Sequence, residues 1–270
     1  MSFFKNLFHK NEEPQPSPAP ETPELTIAQQ IGDLLQCPVA ELPQAEDPVD
    51  LEDMWDAYQE ALEQGKQQGF TPVLMICDDL LLEMMEENLP EGQSHMEIPA
   101  QLDGKAWLEQ MFTQWETDLR SNDPEGLQVL TEPAPAEMEA THRFLSLRMN
   151  LLKQMLQKQA PVLLAEIPTK NPWEVLAWIP FGGWNACPMP EEAMAVLKHW
   201  YEKYGAVPGC IGHDTLELYV PQPVGEGEAA MQLAQEQFMF CEDIVYQGVE
   251  SVPALAKTLE QSTVWYFWWD

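Results

Sequence analysis

The sequence predicts an α+β protein, because helical and strand patterns follow one another without the regular alternation of a βαβ fold. Three observations support this class. Amphipathic helical patterns dominate the first half, short apolar runs bounded by Pro and Gly follow residue 160, and the chain ends on STVWYFWWD. We expect a C-terminal mixed or antiparallel sheet with helices packed on it, preceded by a mainly helical acidic N-terminal region.

Composition divides the 270 residues into four segments, which suits one or two domains. We expect residues 1–24 to be a flexible tail, because their second half, NEEPQPSPAPETPE, has the proline content of a linker. Residues 25–134 are acidic and mainly helical. Residues 135–160 form a connecting helix, and residues 161–270 form the α+β domain.

The first half predicts helices around one strand. The stretches LTIAQQIGDLL, DLEDMWDAYQEALEQGKQQG and GKAWLEQMFTQWETDL have helical spacing, whereas FTPVLMIC is a short apolar run typical of a buried strand. Residues 137–158 predict a long amphipathic helix that packs by one apolar stripe. The stripe consists of Phe144, Leu147, Leu151, Leu152 and Met155. Its basic residues Arg143, Arg148, Lys153 and Lys158 could tie it to the acidic N-terminal region; the alternative is an ordinary packing helix.

The second half predicts strands and short helices. PVLLAEI and WEVLAWIPF, separated by PTKNP, are expected to form a β-hairpin. A helix over PMPEEAMAVLKHWYEKYG precedes a strand, turn and strand in AVPGCIGHDTLELYV, and two more helices lead to a closing strand at residues 263–269. Alternation puts Trp265, Phe267 and Trp269 on one face and Tyr266 and Trp268 on the other. We therefore expect this strand to be central, or at least well covered.

The net charge of −32 limits the class of partner. Such a surface repels nucleic acid and anionic lipid at long range. Residues 25–134 carry 24 acidic against 3 basic side chains, and residues 135–270 carry 17 against 8. The first region therefore favours a basic protein partner or multivalent cations, and the alternative is that the charge serves solubility alone.

Cysteine usage and hydropathy indicate a cytoplasmic protein. Five widely spaced cysteines without a CxxC motif are typical of free thiols in a reducing compartment. We expect neither a signal peptide nor a transmembrane segment, since no run of 18 apolar residues occurs. The first ten residues, MSFFKNLFHK, would suit peripheral contact with a membrane or partner, and the alternative is a frayed end.

Candidate catalytic and metal-binding residues are sparse. Zinc-type ligands occur at Cys187, His199, Cys210, His213 and Cys241, but without a second close pair we expect no metal. We also expect no cofactor, because GxGxxG and GK[ST] are absent. Cys187 precedes the helix that starts near Pro190, whose dipole could stabilise a thiolate, with His199 or His213 as base. The alternative is a structural loop.

A ligand site is predicted at the end of the closing strand. If that strand lies within the sheet, five residues with aromatic and polar side chains gather at one end of it: Trp184, Asn185, Asp243, Trp268 and Asp270. Lys170, in the PTKNP turn, would supply a cation. The alternative is that Asn185 and Asp243 satisfy backbone groups at helix ends.

Four stretches together resemble a bacterial family catalogued as domain of unknown function 4253. They are WEVLAWIPFGGWNACP, HWYEKYGAVPGCIGHDTLELYV, AMQLAQEQFMFCEDIVYQG and STVWYFWWD, and they cover residues 161–270. The resemblance implies a bacterial, cytoplasmic protein and brings no established catalysis. The leading hypothesis is a binding or regulatory protein of the immunity or inhibitor type that holds a basic partner on its acidic surface. The alternative is a hydrolase or transferase that uses the loop from Trp184 to Cys187.

Overall fold

The chain forms a six-stranded mixed sheet with helices on both faces in a computed structural model that describes residues 25–135 and 138–270. This confirms the α+β class. The strands are β1 (Val39–Glu41), β2 (Thr71–Ile76), β3 (Val162–Ile167), β4 (Val207–Ile211), β5 (Thr215–Tyr219) and β6 (Val264–Trp268), in the order β1-β3-β2-β4-β5-β6. Only β2 and β4 pair in parallel among these strands; the other neighbours are antiparallel. The predictions for the tail of residues 1–24 lie outside the described residues.

Eight α-helices surround the sheet in the described part of the chain. They are α1 (Ile27–Leu35), α2 (Pro48–Gln68), α3 (Asp79–Asn88), α4 (Gly104–Asn122), α5 (Leu145–Lys153), α6 (Pro190–Tyr204), α7 (Glu228–Phe240) and α8 (Val252–Leu259). Short 3-10 segments occupy residues 124–130, 154–156 and 172–177, and a π-helical segment spans residues 244–249. No helix among these is long and apolar enough to cross a membrane.

The sheet draws strands from both halves of the sequence. β2, from residues 25–134, lies between β3 and β4, from residues 161–270. Alternation along β2 sends Val73 and Met75 into the larger core and Leu74 and Ile76 into the smaller one on the opposite face. Because both faces are buried, β2 is apolar from Pro72 to Ile76, as its apolar run predicts.

The predicted β-hairpin after residue 160 is wrong. Residues 172–177 form a 3-10 segment, and β3 pairs instead with β1 and β2. Its Val175 and Leu176 are fully buried, so this apolar run fills the core as a helical turn rather than as a strand. A short apolar run does not distinguish these two outcomes.

The connecting helix is also shorter than predicted. α5 begins at Leu145 and ends at Lys153, and Gln157 adopts a left-handed conformation that stops the helical path. Phe144 and Leu147 are buried as expected, but Leu152 and Met155 are exposed. The predicted single packing stripe therefore holds only for its first half.

β6 is an edge strand and not a central one, but it is well covered, as the second of the two expectations has it. Trp265, Phe267 and Trp269 are at most 2% exposed and belong to the larger core. At its free edge the N–H of Val264 donates to the carbonyl of Thr141. The alternation of the aromatic run therefore predicts the two faces correctly.

Candidate functional site

The candidate site lies around the end of β6, where the chain terminus meets other parts of the sequence. Trp268 pairs with Thr215 of β5, and the N–H of Trp269 donates to the carbonyl oxygen of Asp214 at 3.1 Å. The ring of Trp269 packs on Phe181 with 5.4 Å between centroids. This packing fixes the terminus, so the polar groups beside it have defined positions.

Three of the predicted ligand residues meet at this terminus. Asn185 Nδ2 donates to the carbonyl oxygen of Asp270 at 2.5 Å, and the N–H of Asp270 donates to Asp243 Oδ2 at 3.1 Å. The other oxygen of Asp243 accepts from Gln247 Nε2 at 2.9 Å. Asn185 and Asp243 thus satisfy backbone groups of the last residue, whereas the alternative expected them to satisfy backbone groups at helix ends. A role in ligand binding stays a prediction for them.

Trp184 and Lys170 lie at different ends of the sheet. The Trp184 ring packs edge-on against Phe181 at 4.9 Å, which places it beside the terminus. Lys170 follows β3 at the opposite end, where it lines a cleft of about 770 Å³ between the ends of α2 and α6. Its aliphatic stem crosses Gly69, where an added Cβ would lie 2.8 Å from Lys170 Cε. Lys170 is therefore not a cation of the site at the terminus.

Trp268 lines a second polar cluster, on the other face of the sheet from Trp269. A small cavity of about 140 Å³ is bordered there by Asp78, His213, Asp214 and Trp268 together with part of α5. His213 Nδ1 and Asp78 Oδ2 are 2.8 Å apart, and His213 Nε2 lies 3.4 Å from Asp214 Oδ2. Trp268 Nε1 donates to the same Asp214 oxygen at 3.2 Å. The imidazole thus lies between two carboxylates, one of which is held by an indole.

The topology of the sheet explains why Asp78 and His213 meet. Asp78 comes two residues after β2 and His213 two residues after β4, and these are the parallel strands, so their carboxyl ends lie at the same edge. Ligand sites of open α/β sheets lie outside such ends. Asp78 has a structural task as well, because its Oδ1 caps α3 by accepting the N–H of Leu81 at 3.0 Å.

Asp78 and His213 each stabilise the charged form of the other. The hydrogen bond to Asp78 raises the pKa of His213 above its ordinary value of 6.5, against the lowering effect of burial. Burial alone would raise the pKa of Asp78, but the hydrogen bonds from His213 and from the N–H of Leu81 hold it below its ordinary value. Both shifts favour an ion pair between a protonated imidazole and an ionised carboxylate.

Cys187 is poorly placed for nucleophilic catalysis. Its side chain is 7% exposed, and burial raises the pKa of the thiol, with nearby Cys241 acting in the same direction. The two candidate bases are engaged elsewhere: His213 with Asp78, and His199 at 3.4 Å from Glu236. A protonated thiol is a weak nucleophile, so these contacts favour the structural reading of the loop.

The zinc-type ligands are dispersed. Cys187 and Cys241 belong to the larger core and Cys210 to the smaller core on the opposite face, while His199 lies between α6 and α7. Within residues 25–135 and 138–270, no three His, Cys, Asp or Glu side chains are arranged to hold a metal ion.

Sequence reasoning missed two acidic residues near this cluster. Asp78 directly follows the predicted strand FTPVLMIC, and a polar residue at a strand end was the available signal for it. Glu217 lies in the middle of β5 and is fully buried, where it accepts the backbone N–H groups of Leu145 and Ser146. Its position between two leucines carries no signal that α5 would cover it.

Residues 163–270 match the family described as Domain of unknown function (DUF4253). The match begins within β3 and runs to the chain end, so it includes His213, Asp214 and Trp268 but not Asp78. A search of curated proteins and a search of solved structures found no match.

Proposed function

We propose that this chain is a bacterial, cytoplasmic binding or regulatory protein that holds a basic protein partner on the acidic surface of residues 25–134. An immunity or inhibitor role, in which the partner is neutralised by being covered, fits this chemistry. The proposal excludes nucleic acid as the partner, because phosphate would meet a surface of the same sign. It makes no use of a cofactor or metal.

The solvent face of α2 carries the proposal. Asp53, Asp56, Glu60 and Glu63 follow one another at spacings of three and four residues, and all four are exposed. Residues at these spacings share one face of a helix. A continuous acidic stripe of about three turns results, which would attract a cationic surface and increase the association rate.

Few neighbouring cations compensate this stripe. The three basic residues of the region each lie beside a glutamate of their own helix: Lys66 and Glu63 at 2.6 Å, Lys105 and Glu109 at 3.6 Å, and Arg120 and Glu116 at 2.8 Å. In the described chain Asp53, Asp56 and Glu60 form no salt bridge. These three carboxylates are therefore available to a partner.

The test compares two variants of equal net charge. One replaces the acidic stripe of α2 (Asp53→Lys, Asp56→Lys and Glu60→Lys), and the control replaces three exposed glutamates of the C-terminal half (Glu202→Lys, Glu226→Lys and Glu250→Lys). Affinity purification from cells of the source organism, with quantitative mass spectrometry at ~50 and ~500 mM salt, identifies proteins bound by each.

The proposal expects a basic protein that binds the wild type and the control variant at low salt but binds the α2 variant at least about tenfold more weakly. Its recovery should fall at the higher salt, where exposed charges are screened. Equal losses in both variants would indicate only a net-charge effect. Either that result or the absence of any partner dependent on α2 contradicts the proposal.

An enzyme remains a second candidate, favoured by the 2.8 Å contact between His213 and Asp78 at the edge where β2 and β4 end. Here His213 would act as a general acid, because Asp78 favours its protonated form. The earlier candidate nucleophile, Cys187, has no part in this version.

A panel of p-nitrophenyl esters and phosphates, assayed with the wild type and with His213→Gln, tests this second candidate function. Turnover that falls at least about 100-fold in the variant supports it, and turnover that is absent or unchanged contradicts it.

A further inference from the structure

The segment of α5 and the following 3-10 turn exposes an apolar face to solvent. Within residues 149–156 the side chains of Met149, Leu152, Met155 and Leu156 are 55%, 53%, 86% and 70% exposed. The opposite side of the same helix is buried against the smaller core through Leu147. Single exposed apolar residues are ordinary, but four within eight residues form a patch of the kind that marks an interaction surface.

The apolar surface continues into a neighbouring groove. A cleft of about 660 Å³ separates α5 from the start of α2, and apolar side chains that include Trp55, Leu147 and Leu151 line it. Val49, in the same turn of α2 as the lining residues Pro48 and Leu51, is 66% exposed. Leu152 belongs both to the exposed apolar face and to the lining of the groove, so the face and the groove are continuous.

Charges of opposite sign flank this surface. On the α5 side the exposed basic residues are Arg148, Lys153 and Lys158, and on the α2 side the exposed acidic residues are Glu46, Asp47 and Asp53. Between them Arg143 Nε lies 2.9 Å from Glu52 Oε2 and its guanidinium stacks on Trp55 at 4.7 Å, which joins the two elements across the groove. The surface is thus acidic on the α2 side and basic on the α5 side, with apolar residues between them and the charged residues Glu52, Glu139, Arg143 and Arg148 in the groove.

We propose that a second copy of this chain covers this surface in a two-fold dimer. A two-fold axis through the apolar middle packs apolar residues on apolar residues and sets the basic end of one copy against the acidic end of the other. An isologous interface requires such a self-complementary patch. The proposal shares Asp53 with the acidic stripe on α2 that serves the proposed function, whereas Glu46, Asp47 and the groove lie outside that stripe.

The charges that flank this surface favour a second copy of the chain over other proteins as its occupant. A basic protein is matched by the acidic flank alone and is repelled by Arg148, Lys153 and Lys158, and an acidic protein meets the reverse problem. A partner with both signs in the same order satisfies both flanks, and a second copy has that property by symmetry. Salt should not abolish the dimer, because apolar burial at its centre is insensitive to screening and the repulsion between two acidic copies is reduced.

Sedimentation velocity from ~1 to ~200 μM, at ~0.15 and ~0.5 M salt, tests the dimer. The variant Leu152→Glu with Met155→Glu places charge at the apolar centre, and Leu80→Glu is the control because Leu80 on α3 is 54% exposed outside this surface. Both variants change exposed positions, and thermal unfolding checks that each retains the wild-type fold.

The expected result is a concentration-dependent dimer for the wild type and for Leu80→Glu, with at least about a tenfold weaker association of the double variant. A wild type that stays monomeric at ~200 μM in both salts overturns the proposal, and so does a double variant that associates as tightly as the wild type. Association of the wild type only with another protein would assign the surface to that other occupant and equally overturn it.

Discussion

The carboxylate of Glu217 on β5 caps the first turn of α5 by accepting the backbone N–H of Ser146 at 2.8 Å. Its second oxygen accepts the N–H of Leu145, also at 2.8 Å. The residue that precedes the helix, Phe144, makes no side-chain capping bond, so a glutamate 71 residues after Ser146 supplies the acceptor that a local Ser or Asp usually provides. Because Glu217 is fully buried, this cap is also a titratable group inside the core.

Glu217 should make stability decrease as the pH rises. Burial raises its pKa from the ordinary 4.5 to about 7, against the lowering effect of the donors from Ser146 and Leu145. The folded state thus binds the proton more tightly than the unfolded state. The resulting stability is complete below pH 4.5 and is lost as the pH rises through about 7. The loss is on the order of 3 kcal/mol, to be measured by urea unfolding at pH 5 and pH 8.

Glu217→Gln is the matched control, because the amide keeps the shape and one acceptor but does not titrate. Its loss of stability between pH 5 and pH 8 should be smaller than that of the wild type by a large part of this amount. A smaller loss should remain, since the pKa of His213 is raised too and acts in the same direction. Wild-type stability that increases over this range, or equal slopes in the two proteins, contradicts the assignment.

The sequence predicts local elements of this fold better than their partners. The helices α1, α2, α4, α6, α7 and α8 and the strands β2, β3, β4, β5 and β6 overlap segments whose pattern predicts them. The alternation in WYFWW also predicts which side chains of β6 share a face. Its edge position, and the pairing of β3 with β1 and β2, depend on which distant strands meet, and periodicity carries no information on that.

In the candidate site, too, local features are predicted better than contacts between distant residues. Asn185, Asp243 and Asp270 were expected to meet because each lies at an element end near the closing strand, and the structure joins them by hydrogen bonds. Lys170, predicted to supply a cation at this end, lies after β3 at the opposite end of the sheet. Asp78 was missed because its partner His213 is 135 residues away, and only the parallel pairing of β2 and β4 brings them together.

Replacing the last tryptophan should cost far more stability than replacing the tryptophan before it. Trp269 is 2% exposed and packs on Phe181 and Phe240, so Trp269→Ala should lower the free energy of unfolding by about 3–5 kcal/mol. Trp268 faces the opposite side of the strand and is half-buried, with a hydrogen bond to Asp214. Trp268→Ala should cost about 1–2 kcal/mol. Urea unfolding measures the loss of stability in both variants. Equal losses would refute the assignment of Trp269 to the buried face of β6 and of Trp268 to the opposite face.

Gly104 marks a close crossing of α4 and α6. A Cβ added there would lie 2.1 Å from the carbonyl oxygen of Ala195 and 2.6 Å from Val196 Cα, and both are backbone atoms that cannot swing aside. Helix propensity alone predicts that Gly104→Ala stabilises the protein by up to about 1 kcal/mol. We expect the opposite sign, a loss of about 1–3 kcal/mol in thermal or urea unfolding.

Gly225→Ala is the control for this crossing, because no atom lies within 4 Å of a Cβ built at Gly225. Its effect on the free energy of unfolding should stay within about 0.5 kcal/mol. A Gly104→Ala variant as stable as this control would mean that α4 and α6 pack less closely than described here.

Cys37 should react with thiol reagents before Cys187 does. Both thiols have raised pKa values because of burial, but Cys37 is only partly buried and its pKa is about 11, whereas Cys187 is 7% exposed. Reaction of the native protein with 5,5′-dithiobis(2-nitrobenzoic acid) at pH 8 should therefore give one slow first phase, which Cys37→Ser removes and Cys187→Ser leaves intact. The five thiols of the denatured chain give the end point. If the first phase disappears in Cys187→Ser instead, the Cys187 thiol is activated, because the reactivity of a thiol follows its thiolate fraction and its access to the reagent. That result would restore the loop from Trp184 to Cys187 as a catalytic candidate.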